Sequence, residues 1–196
     1  MKKGEAAFFV TGNINKFREA IDVLSEVQIA AAMLKIEKVE IQDDDLKKIA
    51  EASAIEAARK SRLPVFVEDA GLFINALNGF PGPYSSYVFK TIGTKGILKL
   101  MKTIKLRDAY FRSVVAFCDP QEKTEPYCFE GSIDGKIIYE ERGSQGFGFD
   151  SIFQPLGETG ATFAEMSSEE KNSYSHRARA LRKFAEWFAP SMQRRF

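Results

Sequence analysis

Val65-Phe66-Val67-Glu68-Asp69-Ala70-Gly71-Leu72 places three strand-forming apolar residues directly before two adjacent carboxylates and a glycine. Following Pro64, the run reads as a buried strand that delivers Glu68 and Asp69 into a glycine-containing turn. Acids on a solvated surface gain nothing from an apolar strand behind them. A site for a divalent cation does need such an arrangement. Hard cations take oxygen ligands, and Mg²⁺ in phosphate-transfer sites is held by one or two carboxylates plus substrate phosphates. The stretch therefore points both to a sheet and to metal-dependent chemistry on a phosphorylated substrate.

Working outward, strand and helix patterns alternate. Residues 6–10 are apolar and end in Thr11-Gly12-Asn13, after which Ile14, Phe17, Ile21 and Leu24 recur at helical spacing. Residues 36–41 read as a second strand, followed by Asp43-Asp44-Asp45 and a helix to about residue 60. The acidic start and basic end of that helix (Arg59, Lys60, Arg62) complement its dipole. Such alternation predicts an α/β fold, a central parallel or mixed sheet flanked by helices. Asn78-Gly79-Phe80-Pro81-Gly82-Pro83 breaks the pattern, and residues 84–91 and 94–102 resume it as helices. Residues 108–140 switch to strand patterning (110–118, 127–133 and 136–139) and are expected to form an antiparallel second lobe. The last helix spans residues 175–188, with Ala178, Leu181, Ala185 and Phe188 as its apolar stripe.

The chain of 196 residues is expected to form one domain, residues 1–196, of two lobes around a cleft. Its 44% hydrophobic and 28% charged content and its 17 Phe supply an aromatic-rich core under a soluble surface. A net charge of +1 excludes a generic polyanion binder, so no nucleic-acid partner is expected. No apolar run reaches the roughly 20 residues of a membrane span, and the segment after Lys2-Lys3 is too short for a signal-peptide core. A cytoplasmic location follows. Cys118 and Cys128 flank a polar hairpin loop and read as reduced, packed thiols.

Four constellations carry chemistry. Thr11-Gly12-Asn13-Ile14-Asn15-Lys16 is a strand–glycine–helix junction suited to an anion, with Lys16 as a point charge. On spacing alone it reads as an ordinary helix capped by Asn13 with Lys16 solvated, and it is not a Walker A loop. Glu68-Asp69-Ala70-Gly71 is the second, with Glu40 as a candidate to join it. The plainer readings are a turn with a helix-capping aspartate for the pair and an exposed strand residue for Glu40. In Gly143-Ser144-Gln145-Gly146-Phe147-Gly148-Phe149-Asp150, either Phe147 or Phe149 is placed to stack on a base, although a glycine-rich turn with core aromatics has the same composition. Glu170-Lys171-Asn172-Ser173-Tyr174-Ser175-His176-Arg177 sets the only histidine beside an arginine at a helix start, able to neutralise a triphosphate or donate to a base carbonyl. The plainer reading of that cluster is a solvated helix terminus capped by Ser175.

The order of these motifs is more specific than any one of them. Thr-Gly-Asn-x-x-Lys, Glu-Asp-x-Gly-Leu with Gly-Phe-Pro-Gly-Pro-Tyr-Ser, Phe-Gly-Phe-Asp and Glu-Lys-Asn-x-x-Ser-His-Arg closely resemble the inosine triphosphate pyrophosphatase (Ham1-like) family, from Thr11 to Arg177. The resemblance implies an elongated two-lobed α/β fold and a homodimer. It also implies Mg²⁺-dependent hydrolysis of ITP, dITP and XTP to the monophosphate and pyrophosphate. Carried over by position, Thr11, Gly12, Asn13 and Lys16 bind the triphosphate. Glu40 and Asp69 hold Mg²⁺, with Asp69 also the proton acceptor. Phe147, Gly148, Phe149 and Asp150 line the base and ribose pocket, Lys171 contacts substrate, and His176 and Arg177 recognise the 6-oxo purine. Ala70 stands where many members have Ser, so a hydroxyl contact is lost. The stretch 49–55 lacks a lysine that some members use, and neither Lys47 nor Lys48 is assigned that role. An exposed surface near Tyr84, Tyr87 and Phe89 is one reading of the dimer face, core packing the other. The competing functional classes are a non-catalytic nucleotide binder and a pyrophosphatase of different base specificity.

Overall fold

A computed structural model describes residues 6–36, 41–122, 125–157 and 160–193. Its centre is one mixed sheet of seven strands. Strand β1 (Ala6–Val10) leads into helix α1 (Ile14–Ser25) and returns as β2 (Ala30–Leu34). Helix α2 (Leu46–Ser61) is followed by the long β3 (Val65–Ile74) and the short β4 (Pro81–Gly82). Two short helices follow, α3 (Ser85–Thr91) and α4 (Gly93–Leu100). The hairpin of β5 (Asp108–Cys118) and β6 (Tyr127–Ile137) leads to β7 (Phe153–Pro155). Helices α5 (Ser168–Tyr174) and α6 (His176–Gln193) complete the chain.

The strand order is β2-β1-β3-β5-β6-β7, with β4 also on β3; β1 runs parallel to β2 and β3, and the remaining pairs are antiparallel. The α/β expectation is borne out. Strand alternation sends Phe66, Val115 and Phe117 into a core under α1 and α6, while Val67, Val114 and Ala116 pack under α2.

Three local expectations change. The second strand is β2, Ala30–Leu34, five residues whose three alanines carry little strand signal. Of the expected strand 36–41, Ile36 and Ile41 are in no element, and residues 37–40, Glu40 among them, lie outside the described residues. The turn expected after Asp69 is absent, because β3 continues unbroken for ten residues opposite β5. Gly71 serves close packing instead: a Cβ there would lie 2.3 Å from the carbonyl oxygen of Gly82. That carbonyl also accepts from Ser85 Oγ (2.7 Å), which itself accepts from Leu72 N (2.8 Å), so the Gly-Pro-Tyr-Ser segment is riveted to β3. Residues 136 and 137 belong to β6 rather than to a separate strand. The strands of residues 108–140 share the sheet with β3, which gives the two halves of the molecule a common backbone.

One consequence positions the site. On the edge facing β1, strand β3 is paired through Val65 and Phe66, then again through Leu72 and Phe73 with β4. Between them, Val67 to Gly71 have no strand on that side among the described residues. β1 ends here and α1 begins, so the gap lies at the carboxyl end of a parallel strand, where ligands of open α/β sheets bind.

Candidate active site

The loop Thr11-Gly12-Asn13 turns β1 into α1 beside this gap. Asn13 Oδ1 accepts from the N–H groups of Asn15 (2.9 Å) and Lys16 (3.2 Å), and Thr11 Oγ1 accepts from Asn13 N (3.1 Å). Asn13 is thus the helix cap that the spacing suggested. Lys16, however, is not a solvated lysine. Its ammonium lies 2.9 Å from Glu68 Oε2 and donates to the Glu68 carbonyl at 3.3 Å, which ties the loop to the middle of β3.

Alternation along β3 sends Glu68 and Asp69 to opposite faces of the sheet. Glu68 faces α1 and α6, and its side chain is fully buried. Ser113 Oγ donates to its Oε1 at 2.6 Å and Arg177 Nε lies 3.1 Å from the same atom. Burial alone pushes this carboxyl up, but Arg177, Lys16 and the Ser113 hydroxyl hold it well below the usual carboxylate range. Asp69 lies on the α2 face, half-buried, with its Oδ1 accepting from Ala70 N (3.0 Å). The acidic pair is therefore two sites.

Behind Glu68 is a buried lattice of charge. Lys171 donates to Glu19 Oε1 (2.8 Å) and to Asp150 Oδ2 (2.7 Å), and Arg177 donates to Glu19 Oε2. Burial raises the Glu19 carboxyl, but Arg177 and Lys171 outweigh it and bring it below its ordinary value. Asp150 goes the other way: burial raises it despite Lys171 and the Phe147 N–H, which donates to Oδ2 at 2.8 Å. Gly146 is required by this fold-back, since a Cβ there would fall 2.2 Å from Asp150 Oδ2, and its φ of +71° is left-handed. The Phe147 ring roofs the cluster, 5.0 Å from Lys171 Nζ and 5.3 Å from the Arg177 guanidinium carbon. Phe149 packs into the core at 3% exposure, so of the two candidate rings Phe147 faces the site. Phe89, Phe147, Gly148 and Asp150 line an adjoining pocket of about 270 Å³.

His176 and Arg177 open α6 but are not a solvated terminus, at 2% and 3% exposure. The His176 ring stacks on Phe111 (4.6 Å between centroids, 9° between planes), and its Nδ1 has no hydrogen-bond partner among the described residues. Burial, then the charges of Arg177 and Lys171, lower its pKa well below 6.5, so the ring is neutral. Ser175, between α5 and α6, accepts from Ala178 N at 3.2 Å.

The structure brings Lys16, Asp150, Lys171, His176 and Arg177 into one cluster, sets Asp69 and Ala70 beside the gap, and leaves Glu40 outside the described residues. Sequence reasoning missed Glu19, which joins helix α1 to Lys171 and Arg177. It left no local trace, because the apolar repeat of Ile14, Phe17, Ile21 and Leu24 puts Glu19 on another face. The fold instead buries Glu19 with Ala20, Val23 and Leu24 and leaves Ile14 and Ile21 exposed.

A profile of the Ham1 family matches residues 7–187. The dITP/XTP pyrophosphatase of Methanosarcina mazei is 49% identical over 92% of this chain and 95% of its own length. That of Thermococcus kodakarensis is 49% identical over 94% and 98%. A HAM1 protein from Coxiella burnetii superposes with a TM-score of 0.83 at 27% identity, covering 95% of this chain and 99% of its own.

Proposed function

The chain belongs to the Ham1 family, and from that premise we infer that it hydrolyses non-standard purine nucleoside triphosphates, namely ITP, dITP and XTP, to the monophosphate and pyrophosphate. It is a nucleoside-triphosphate pyrophosphatase. The observation that carries the reading is the sheet gap, which opens between the capped start of α1, the carboxylate of Asp69 and the cluster of paired charges beneath Phe147.

In this assignment Thr11, Gly12, Asn13 and Lys16 hold the triphosphate, and the backbone at Ala70 lies beside it. Phe147 and Gly148 receive the base, Phe149 and Asp150 fix their loop, and Lys171, His176 and Arg177 supply donors toward purine O6. Adenine would present an amino group to those donors and leave them unpaired in a buried site, the strongest form of rejection available to a polar pocket. Asp69 orients the attacking water and accepts its proton, and the in-line displacement takes place at the α-phosphorus.

We assign Mg²⁺ as the divalent ion, with Asp69 and Glu40 as its protein ligands. The donor set fits. Among the described residues no three His, Cys, Asp or Glu converge into a cage, and Glu19, Glu68 and Asp150 are committed to ammonium and guanidinium groups. A hard cation held by one or two carboxylates and completed by phosphates suits such a site. When bound, the ion activates water and offsets charge on the leaving group. The same proposal includes a single two-lobed domain, a cytoplasmic location and a homodimer. The exposure of Tyr84, Tyr87 and Phe89 supports that dimer face, and no helix among the described residues is long and apolar enough to cross a membrane.

The test is a Mg²⁺-dependent assay of ITP, XTP, ATP and GTP in parallel, detecting pyrophosphate and orthophosphate separately. Pyrophosphate from ITP and XTP with little from ATP or GTP is expected. Equal turnover of ATP and ITP would overturn the base assignment, and orthophosphate release would overturn the bond assignment.

A further inference from the structure

The face of β3 that carries Asp69 also holds a guanidinium placed to take phosphate charge. Asp69 lies opposite Val114 of β5, and Arg112, two residues along, lies opposite Gly71. Arg112 therefore shares the face of Asp69. Diagonal neighbours of this kind sit about 7–8 Å apart, within reach of a long side chain. The Arg112 side chain is 32% exposed, against 4% for Lys171 and Arg177. Its Nε and Nη2 both donate to one oxygen of Glu130, Oε2, at 3.2 and 2.8 Å. Asp45, the cap of α2, lies 4.0 Å from Nη2. Nη1 has no hydrogen-bond partner among the described residues.

Charge balance gives this position a use. On the Glu68 face Lys16, Lys171 and Arg177 are matched by Glu19, Glu68 and Asp150, so that cluster carries no net charge. Hydrolysis at the α-phosphorus collects negative charge on the departing pyrophosphate, beside Asp69, itself an anion. Resting on the pyrophosphatase reading, we propose that Arg112 contacts the β- and γ-phosphates of the substrate and holds the pyrophosphate as it leaves, exchanging Glu130 for phosphate oxygens. The exchange costs little, because Glu130 is 43% exposed and an exposed pair contributes little to stability. Phosphate offers the planar guanidinium two oxygens at once, where Glu130 engages it through one.

The test uses the full chain with ITP and Mg²⁺, reading kcat, KM and product inhibition by pyrophosphate and by IMP, for the wild type, R112Q, R112K and E130Q. R112Q is expected to weaken pyrophosphate inhibition and raise KM for ITP, each by about tenfold, the worth of one charge-assisted contact. Inhibition by IMP, which lacks those phosphates, stays unchanged. R112K recovers part of the loss, and E130Q leaves pyrophosphate inhibition intact or tightens it. Wild-type pyrophosphate inhibition in R112Q would overturn the proposal. So would an E130Q enzyme that matches R112Q, since the pair would then be a structural strut. If the wild type releases no pyrophosphate from ITP, the parent reading fails instead. Calorimetric titration of pyrophosphate into the wild type and R112Q then decides on Arg112 alone, a loss in R112Q supporting it and equal affinity overturning it.

Discussion

Glu68 and Asp69 are neighbours in sequence and opposites in situation. Glu68 is sealed between a lysine, an arginine and a serine, with no exposed side-chain surface. Asp69 is half-buried on the other face, the one that packs against α2. The first arrangement is locked: each charge is matched, and moving any one strands the others in a low dielectric. The second is only half-buried, and on its face the Arg112–Glu130 pair is 32% and 43% exposed. An enzyme that handles a highly charged substrate needs both, a fixed frame for recognition and a face where charge can arrive and leave.

The sharpest way to break this comparison is to neutralise each acid in turn. Asp69→Asn removes the proton acceptor and is expected to cut kcat by about 10³-fold or more, within the range of lost acid–base catalysis, while nucleotide binding measured by calorimetry is largely spared. Full activity in that variant removes Asp69 from the mechanism. Glu68→Gln acts through the frame. Leaving Arg177 and Lys16 short of a buried partner should lower stability by about 3 kcal/mol, read as a fall in the urea midpoint at constant slope. An unchanged midpoint would mean that the cluster is not locked.

Titration sharpens the contrast further. His176 has a folded pKa below its ordinary 6.5, so the unfolded chain binds the proton first. Its contribution is complete above pH 6.5 and declines as pH falls below that value, at up to about 1.4 kcal/mol per pH unit. Glu68, also depressed, is fully stabilising above its ordinary 4.5 and loses its contribution as pH falls further. Asp150, raised by burial, opposes that acid limb above its ordinary 3.8. Unfolding free energy measured from pH 8 to 4 should therefore decline first near 6.5, and His176→Gln should flatten that limb alone. A decline that begins only below 4.5 in the wild type would show that His176 titrates normally.

Much of the fold was legible because the signals were local. Asp45 followed by an apolar stripe marks α2, and the glycine and proline cluster at residues 78–83 marks the break before α3. β2 escaped because an alanine run has no local preference for a strand, and only pairing with β1 makes it one. The turn expected after Asp69 was wrong for a related reason: Gly71 marks a close approach by Gly82, 11 residues on, and not a bend in its own chain. Phe147 and Phe149 have the same composition and spacing, yet one roofs the charged cluster and the other fills the core.

The ordered motifs alone determined which family this chain belongs to, and with it the reaction, because a short motif is read from local residue order and needs no knowledge of contacts. Only the tertiary structure decided which polar residues meet. The period of a strand separates Glu68 from Asp69 by the thickness of the sheet, whereas pairing across helices and strands joins Glu19 to Lys171 and Arg177 over more than 150 residues. Contacts of that range depend on register and packing, which have no local signature in the chain.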